Sequence, residues 1–590
     1  MAKLVYACVR DIANAPSIKN RIESIIDKLV PDNIPDAKCK VVDHGEIIYG
    51  ISTYTPSIAE KEDGVCMGMV YDNPGKWWKP MTDHPEGSYA IFRADEEYVE
   101  AITDLACSRA VWYYKDENVF LASTSQRAII NIAGKFELET RNIPWILSSG
   151  TLAPYLSWCK NIHFVDPEGS VLLNRKTWEV TAKSAKPEFP ISQISEKEFQ
   201  REMKALLRDS FSHLDVDLSE WMLPISGGYD SRGIACLLKE IGKDISKLDT
   251  ITWGKRSSQQ NRHSDGYLGG AAAKSLGMKH QFWSTDTTKE DTEKVFDRFI
   301  QCSEGRIDHI GGYSDGMAIW RNIFESGKLG VIRGDETFGG PHSGSVLRSR
   351  LVTGFKLCKD FSNLEDYQQY GFEKQVVPEH LNAVPGVDTP GYYRDRLYQQ
   401  FRMPFTLSAL SDIKYAYTEM LNPFLTKKII RQSRTLPDHL RNNKILFAGI
   451  IDEISPKIPY ATEEATNDEI IKTPEAIALF CREIGSDYMK QLFPEEFLAK
   501  ILGKLQKPHE ASNHSMLHRL KKAVSSNLPL ILKDNLRRNM LKPALDIGML
   551  AFRIYVTGRI YKMFTEDALK ASENNAKFNG NNKTLQNTLK

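Results

Sequence analysis

The sequence predicts an α/β protein: an α+β N-terminal domain of stacked antiparallel sheets, followed by a domain built on a parallel sheet. Three observations carry that expectation. Residues 1–190 hold short strand-like runs separated by Gly, Pro, Asn and Asp turns. From 195 to 460, strand-like and helix-like runs alternate, the pattern of a parallel sheet covered by helices. Between them Lys183–Ile194, with Pro187 and Pro190, reads as a linker.

Taken in order, the first region offers strands at Leu4–Val9, Ile47–Ser52, Tyr89–Arg93, Val119–Ser123 and Val171–Leu173. In the second, the apolar run Trp221-Met222-Leu223-Pro224-Ile225 reads as a buried strand. Ile234, Leu237, Leu238 and Ile241 then form the i, i+3, i+4, i+7 stripe of a helix. Leu248–Gly254 is the next strand, Asp265 opens a helix carrying Ala271, Ala272 and Leu276, and Lys279–Trp283 is a third strand. A fourth, Leu329–Ile332, runs directly into Arg333-Gly334-Asp335-Glu336-Thr337-Phe338-Gly339-Gly340. Residues 461–572 read as a helical extension and 573–590, rich in Asn and Lys, as a disordered tail.

Composition excludes several classes. At 590 residues the chain can bury substantial cores, and 77 Lys+Arg against 76 Asp+Glu gives no reason to expect nucleic-acid binding. The N-terminus has no basic-then-apolar leader and no apolar run reaches the ~18 residues of a membrane span, so the expected location is the cytosol. Nine cysteines without a CxxC pair suggest reduced core thiols, not a zinc cluster or disulfide framework. His309 and His342 lack metal-ligand spacing. Arg519–Lys562 carries ten Lys/Arg against two Asp/Glu, interleaved with apolar residues. It reads as a basic amphipathic stretch, for weak contact with a surface or for a solvated face.

The chemistry concentrates at Ser226-Gly227-Gly228-Tyr229-Asp230-Ser231. A strand, a small-residue turn and a helix N-terminus form an anion site: glycines allow close backbone approach, and free N–H groups with the helix dipole favour phosphate. No Walker-type Gly-Lys-Ser/Thr is present. Ligands of open parallel sheets lie beyond the carboxyl ends of the strands, so Asp230 and Asp335 can face one crevice. Two carboxylates beside a triphosphate call for Mg²⁺.

This pattern resembles the pyrophosphate loop of the N-type ATP pyrophosphatases, and the wider order resembles the asparagine synthetase family with its beta-lactam synthetase and lasso-peptide cyclase relatives. The resemblance spans roughly 80–460. It rests on the SGGxDS loop, the Asp335-Glu336-x-Phe338-Gly339 turn, Glu419-Met-Leu-Asn422-Pro423-Phe424-Leu425, and Asn443-Lys444-Ile445-Leu446. In the first domain Glu86–Phe92, Asp104–Tyr114 and Phe120–Ile129 match the family's amidotransferase-like strands. The resemblance implies AMP-forming activation of a small-molecule or peptide carboxylate, then attack by an amine. By position, Ser226, Gly227, Gly228, Asp230, Ser231, Trp253, Gly254 and Gly334 would contact ATP and its pyrophosphate, and Asp230 with Asp335 would hold Mg²⁺. Lys444 would stabilise the acyl-adenylate transition state. Glu419 would act on the substrate or the nucleophile, assisted by a tyrosine as in the lactam-forming relatives. Tyr415, four residues before it, is expected on the same helical face; Tyr392, Tyr393, Tyr398 and Tyr417 are the other candidates, with core packing the alternative for each.

The family's glutaminase needs a cysteine directly after the initiator Met, whose own amine is the base. Position 2 is Ala, Cys8 falls inside the first strand, and the glutamine-holding Asn-Gly-Glu turn is replaced by Val70–Lys76. The expectation is therefore an amide-forming ligase that does not hydrolyse glutamine, taking its amine from the substrate itself or from free ammonia. Amidation of a small or sugar acid, or a nucleotide-binding pseudoenzyme, are the alternatives.

Overall fold

The computed structural model describes residues 3–55, 58–71, 77–463, 470–506 and 542–588, with side chains placed as far as 572. Two six-stranded antiparallel sheets form the N-terminal domain. One runs, in spatial order, His163–Phe164, Trp112–Lys115, Val119–Ser123, Leu4–Val9, Ile47–Ile51 and Lys40–Asp43. The other runs Glu179–Lys183, Ser170–Asn174, Tyr98–Thr103, Gly87–Ala94, Gly64–Val70 and Ala59–Lys61. Leu4–Val9 has a side chain to bury on each face, which is why it reads as a continuous apolar run. Leu4, Tyr6 and Cys8 enter the gap between the sheets against Met67, Ala90 and Phe92. Val5, Ala7 and Val9 belong to the core that includes helices Ala15–Ile26 and Gln126–Ala133.

Residues 184–195 carry no regular structure and lead, through the Ser195 N-cap, into helix Glu196–Ser212. The second sheet has five strands, all parallel, in the order His280–Ser284, Asp249–Gly254, Trp221–Pro224, Gly330–Ile332, Glu419–Leu421. The first three strands in the chain proceed one way across this sheet and the last two the other way. The direction therefore reverses between Trp221–Pro224 and Gly330–Ile332. That switch point opens a crevice at the carboxyl ends of the two strands.

Downstream, helices Pro474–Ile484, Glu495–Leu505 and Ile547–Thr588 share a core with both preceding domains. Leu550, Phe552, Ile554, Tyr555 and Ile560 are fully buried, and Phe552 packs on Phe296, Phe299 and Phe480. The expectation of a surface-seeking basic stretch is corrected for 547–562, because two of its three cations, Arg553 and Arg559, are used internally, leaving Lys562 exposed. Arg553 is buried, pairs with Asp308 at 2.7 Å, and donates to the carbonyls of Leu147 and Ser148 at 2.8 and 3.0 Å. Arg559 pairs with Asp297. Residues 519–541 lie outside the described residues. The backbone continues as helix through 573–588, where composition alone suggested a disordered tail. Among the described residues no helix is long and apolar enough to cross a membrane.

An Arg553→Met variant leaves the Asp308 carboxylate buried with only His309, 3.0 Å away, as a possible cation. Removing one partner of such a pair costs about 3–5 kcal/mol. The expected result is faster hydrogen exchange across 547–564 and a lower melting temperature. Unchanged protection would show that the apolar contacts alone hold this helix.

Candidate active site

The loop after Trp221–Pro224 is shaped by its own side chains. Ser226 N–H donates to Ser231 Oγ at 2.9 Å, Gly228 N–H to Ser226 Oγ at 3.2 Å, and Gly227 N–H to Asp265 Oδ1 at 2.9 Å. Helix Tyr229–Glu240 starts at Gly228, which has no side chain to cap it. The N–H groups of that first turn, unsatisfied within the helix, are left for an anion. Gly227 and Gly334 are both required by space. A Cβ on Gly227 would lie 2.5 Å from the Ala461 Cβ, and one on Gly334 would lie 2.9 Å from the Asp230 Cβ. The second glycine thus lets the turn after Gly330–Ile332 lie directly against the loop.

Together they enclose a cavity of about 420 Å³, lined by Ser226, Asp230, Ser231, Trp253, Gly334 and Asp335 among others. Seven of the eight residues expected to contact nucleotide therefore have a clear place here: five line the cavity, and Gly227 and Gly228 shape the loop. Gly254 ends the neighbouring strand Asp249–Gly254 and does not line the cavity.

Charge in the crevice is closely balanced. Lys444 Nζ sits 3.1 Å from both Asp230 oxygens and 2.7 Å from Glu336 Oε1. Its backbone and that of Asn443 both adopt φ +56°, a left-handed conformation that asparagine tolerates and that is unfavourable for lysine. Strain held at Lys444 is a feature of sites where side-chain placement matters. Burial pushes Glu336 up to about 7 against the pull of Lys444, and pushes Asp230 up in the same way. Asp335 differs: burial would raise it, but Arg333, 3.3 Å away, and Lys414 together hold it below the usual carboxylate value. Burial and the neighbouring Arg333 bring Lys414 down to about 7. Arg333 Nε is buried without a hydrogen-bond partner.

Sequence reasoning assigned no role to Glu336, Lys414 or Asp265. Glu336 could have been suspected as an acid adjoining Asp335. Lys414 gave no signal, because it sits in a helix with no motif around it.

The presumed nucleophile-handling residues are placed differently. Tyr415 ends helix Ser408–Tyr415 and Glu419 opens strand Glu419–Leu421, so they do not share a helical face. The turn between them breaks the i, i+4 relation. They are joined instead by Arg109 of the N-terminal domain. Its guanidinium lies 3.6 Å from the Tyr415 ring centroid and pairs with Glu419. Glu419 is 1% exposed, also accepts from Met420 N–H at 2.9 Å, and starts its strand in register with Gly330, away from the carboxyl-end crevice. Among the other tyrosines, Tyr392, Tyr393 and Tyr417 donate to Phe189, Leu381 and Asn33. Tyr398 is the one held un-ionised by burial together with Glu336, Asp335 and Asp230, which places it in the field of the acid cluster.

In the first domain Cys8 is buried mid-strand, and burial pushes its thiol up to about 12. The Ala2 position and 72–76 of the Val70–Lys76 segment lie outside the described residues. No group of three or more His, Cys, Asp or Glu that could hold a metal is present among the described residues. Two carboxylates with open space for phosphate oxygens is nevertheless a donor set that suits Mg²⁺ bound through a nucleotide. The Gly334 approach and the unpartnered Arg333 Nε also fit an anion in this cavity.

No protein-family model matches this chain, and no curated protein matches it. Among solved structures, one titled as the allosteric regulatory enzyme of purine biosynthesis is similar at 9% identity, covering 49% of this chain and 81% of its own, with a TM-score of 0.21. A score that low carries no argument about fold or function.

Proposed function

We propose that this chain is an ATP-dependent ligase that adenylates a carboxylate and passes the acyl group to an amine. In the first step a carboxylate oxygen bonds to the α-phosphorus of ATP and pyrophosphate leaves. In the second, the amine bonds to the acyl carbon and AMP leaves with the C–O electron pair. The observation that carries the reading is convergence. Three separate segments, Ser226–Ser231, Arg333–Asp335 and Lys444, meet at one crevice at the switch point of a parallel sheet.

The loop N–H groups would hold the departing phosphates. Asp230 and Asp335 would hold Mg²⁺, which supplies charge neutralisation when bound. Lys444, fixed between Asp230 and Glu336, would face the charge that develops on the α-phosphoryl oxygens. Arg109 would hold Glu419 at the domain interface, where the pair is a positioning element until a substrate displaces the guanidinium.

Pyrophosphate release, followed with ATP and a panel of amino acids, sugar acids and short peptides, with and without ammonium, tests this. Release that depends on one carboxylate supports the ligase. ATP binding without release for any of them would favour the second reading, a nucleotide-binding protein without turnover. That reading draws on the Lys444–Asp230 and Arg333–Asp335 pairs, which already engage both carboxylates.

Glutamine is not expected to serve as amine source. An N-terminal nucleophile needs thiol and α-amine on one residue; Cys8 is peptide-bonded in a strand and its thiol is held protonated by burial. Incubation with glutamine should release no glutamate above the blank. Release that stops on alkylating Cys8 would overturn this account of the domain.

A further inference from the structure

A second cavity, of about 580 Å³, lies where the linker meets both domains, and it shares no lining residue with the nucleotide crevice. Arg434, the last residue of helix Lys427–Arg434, lines it. This side chain is unusual. It is only 8% exposed, its Nε donates to Gln399 Oε1 at 2.7 Å, and the Phe189 ring centroid lies 5.1 Å from its guanidinium carbon. Its two terminal nitrogens make no hydrogen bond and no ion pair among the described residues. Buried charges in proteins are nearly always paired, because an isolated one is costly to desolvate. A guanidinium fork left open into a cavity matches a carboxylate, which it binds through two parallel N–H donors.

The same cavity is lined by Asp166, from the turn between strands His163–Phe164 and Ser170–Asn174. Burial pushes this carboxyl up against a side-chain hydrogen bond from Ser184, and no cation among the described residues pairs with it. Asp166 and Arg434 do not pair with each other. Of the other charges around the cavity, Glu168 pairs with Arg431 and Lys427, and Lys428 with Asp209, while Glu188 is exposed in the linker. Lys186 is exposed in the linker. One unpaired buried cation favours a monoanion over a phosphate. The partly buried Asp166 carboxylate, without an ion pair, calls for an ammonium. Leu105, Tyr155 and Leu206 supply apolar wall between them.

We propose that this cavity binds a free amino acid, its carboxylate on the Arg434 fork and its ammonium on Asp166. The site stands on this geometry and is independent of the ligase reading. Arg434 is nevertheless linked to the crevice, since the adjacent Ser433 Oγ donates to Thr337 Oγ1 at 2.8 Å, two residues after Asp335. The bound amino acid could therefore be the acceptor amine or an effector.

The test is calorimetric titration of the full chain with each of the common amino acids, and with the N-acetyl and methyl ester forms of any that bind. Wild type, Arg434→Met and Asp166→Asn are compared, with circular dichroism and the melting temperature as a check that each variant is folded. The expected result is an amino acid whose affinity falls at least about tenfold in each variant, the loss of one charge-assisted contact, with the melting temperature close to wild type. Both blocked forms should also bind more weakly. Incorporation of the amino acid into product then identifies it as acceptor, and a changed rate without incorporation as effector. If no amino acid distinguishes wild type from Asp166→Asn, or if the N-acetyl form binds as well as the free one, the proposal is wrong.

Discussion

Asp230→Asn is expected to keep its fold and lose pyrophosphate formation by about 10²–10³-fold, the usual effect of deleting one preorganised electrostatic contact. Asparagine has the same shape, so the close approach of Gly334 to the Asp230 Cβ is undisturbed. The helix start is also retained, because it depends on Gly228 and on the Ser226–Ser231 contacts. What changes is charge. Asp230, Glu336, Asp335 and Asp265 face Lys444, Arg333 and Lys414, and removing one acid shifts the crevice by one unit toward positive before nucleotide arrives. ATP affinity should therefore hold or rise, while the Mg²⁺ concentration needed for half-maximal rate increases. Asp335→Asn should lower turnover similarly, with one difference: Arg333 loses its partner and becomes free for phosphate. Near-normal turnover in either variant, at ordinary Mg²⁺, would remove that residue from the metal assignment.

Much of this crevice was legible in the sequence because its parts are local. A strand, a glycine turn and an amphipathic helix can be read from Trp221 to Ile241 without knowing what packs on them. The same is true of the Leu329–Ile332 run into Arg333–Gly340. The linker was visible because prolines mark it. What could not be read were relations between distant segments. Nothing at Glu419 indicates that Arg109, from another domain, closes over it. The i, i+4 spacing of Tyr415 and Glu419 suggested one helix, but Lys414–Thr418 turns and the chain enters the edge strand of the sheet. The three-residue strand Glu419–Leu421 was too short to show a period. The basic composition of 519–562 was likewise misleading for its second half. Composition records that cations are present, not that Asp308 and Asp297 wait for them more than 200 residues earlier.

Lys444→Met should have the other large effect, and two readouts separate its chemical and structural parts. Methionine keeps the stem's packing while deleting the ammonium that sits between Asp230 and Glu336. If Lys444 meets charge developing on the α-phosphoryl group, turnover falls about 10²–10³-fold at saturating ATP. The same deletion leaves Glu336, whose side chain is 8% exposed, beside Asp230 with no cation between them. That strands a buried acid, and the folded state should lose about 1–3 kcal/mol, read as a lower melting temperature. Adding Glu336→Gln to Lys444→Met removes the stranded charge and should recover most of that stability. It cannot recover turnover, since no cation returns to the crevice. A double variant that regains both would make Lys444 a partner for Glu336 and nothing more. A single variant that binds ATP weakly yet turns over normally at saturation would place Lys444 in the ground-state nucleotide site. Recovery of melting temperature without recovery of rate is the result expected of a lysine held in a strained backbone for chemistry.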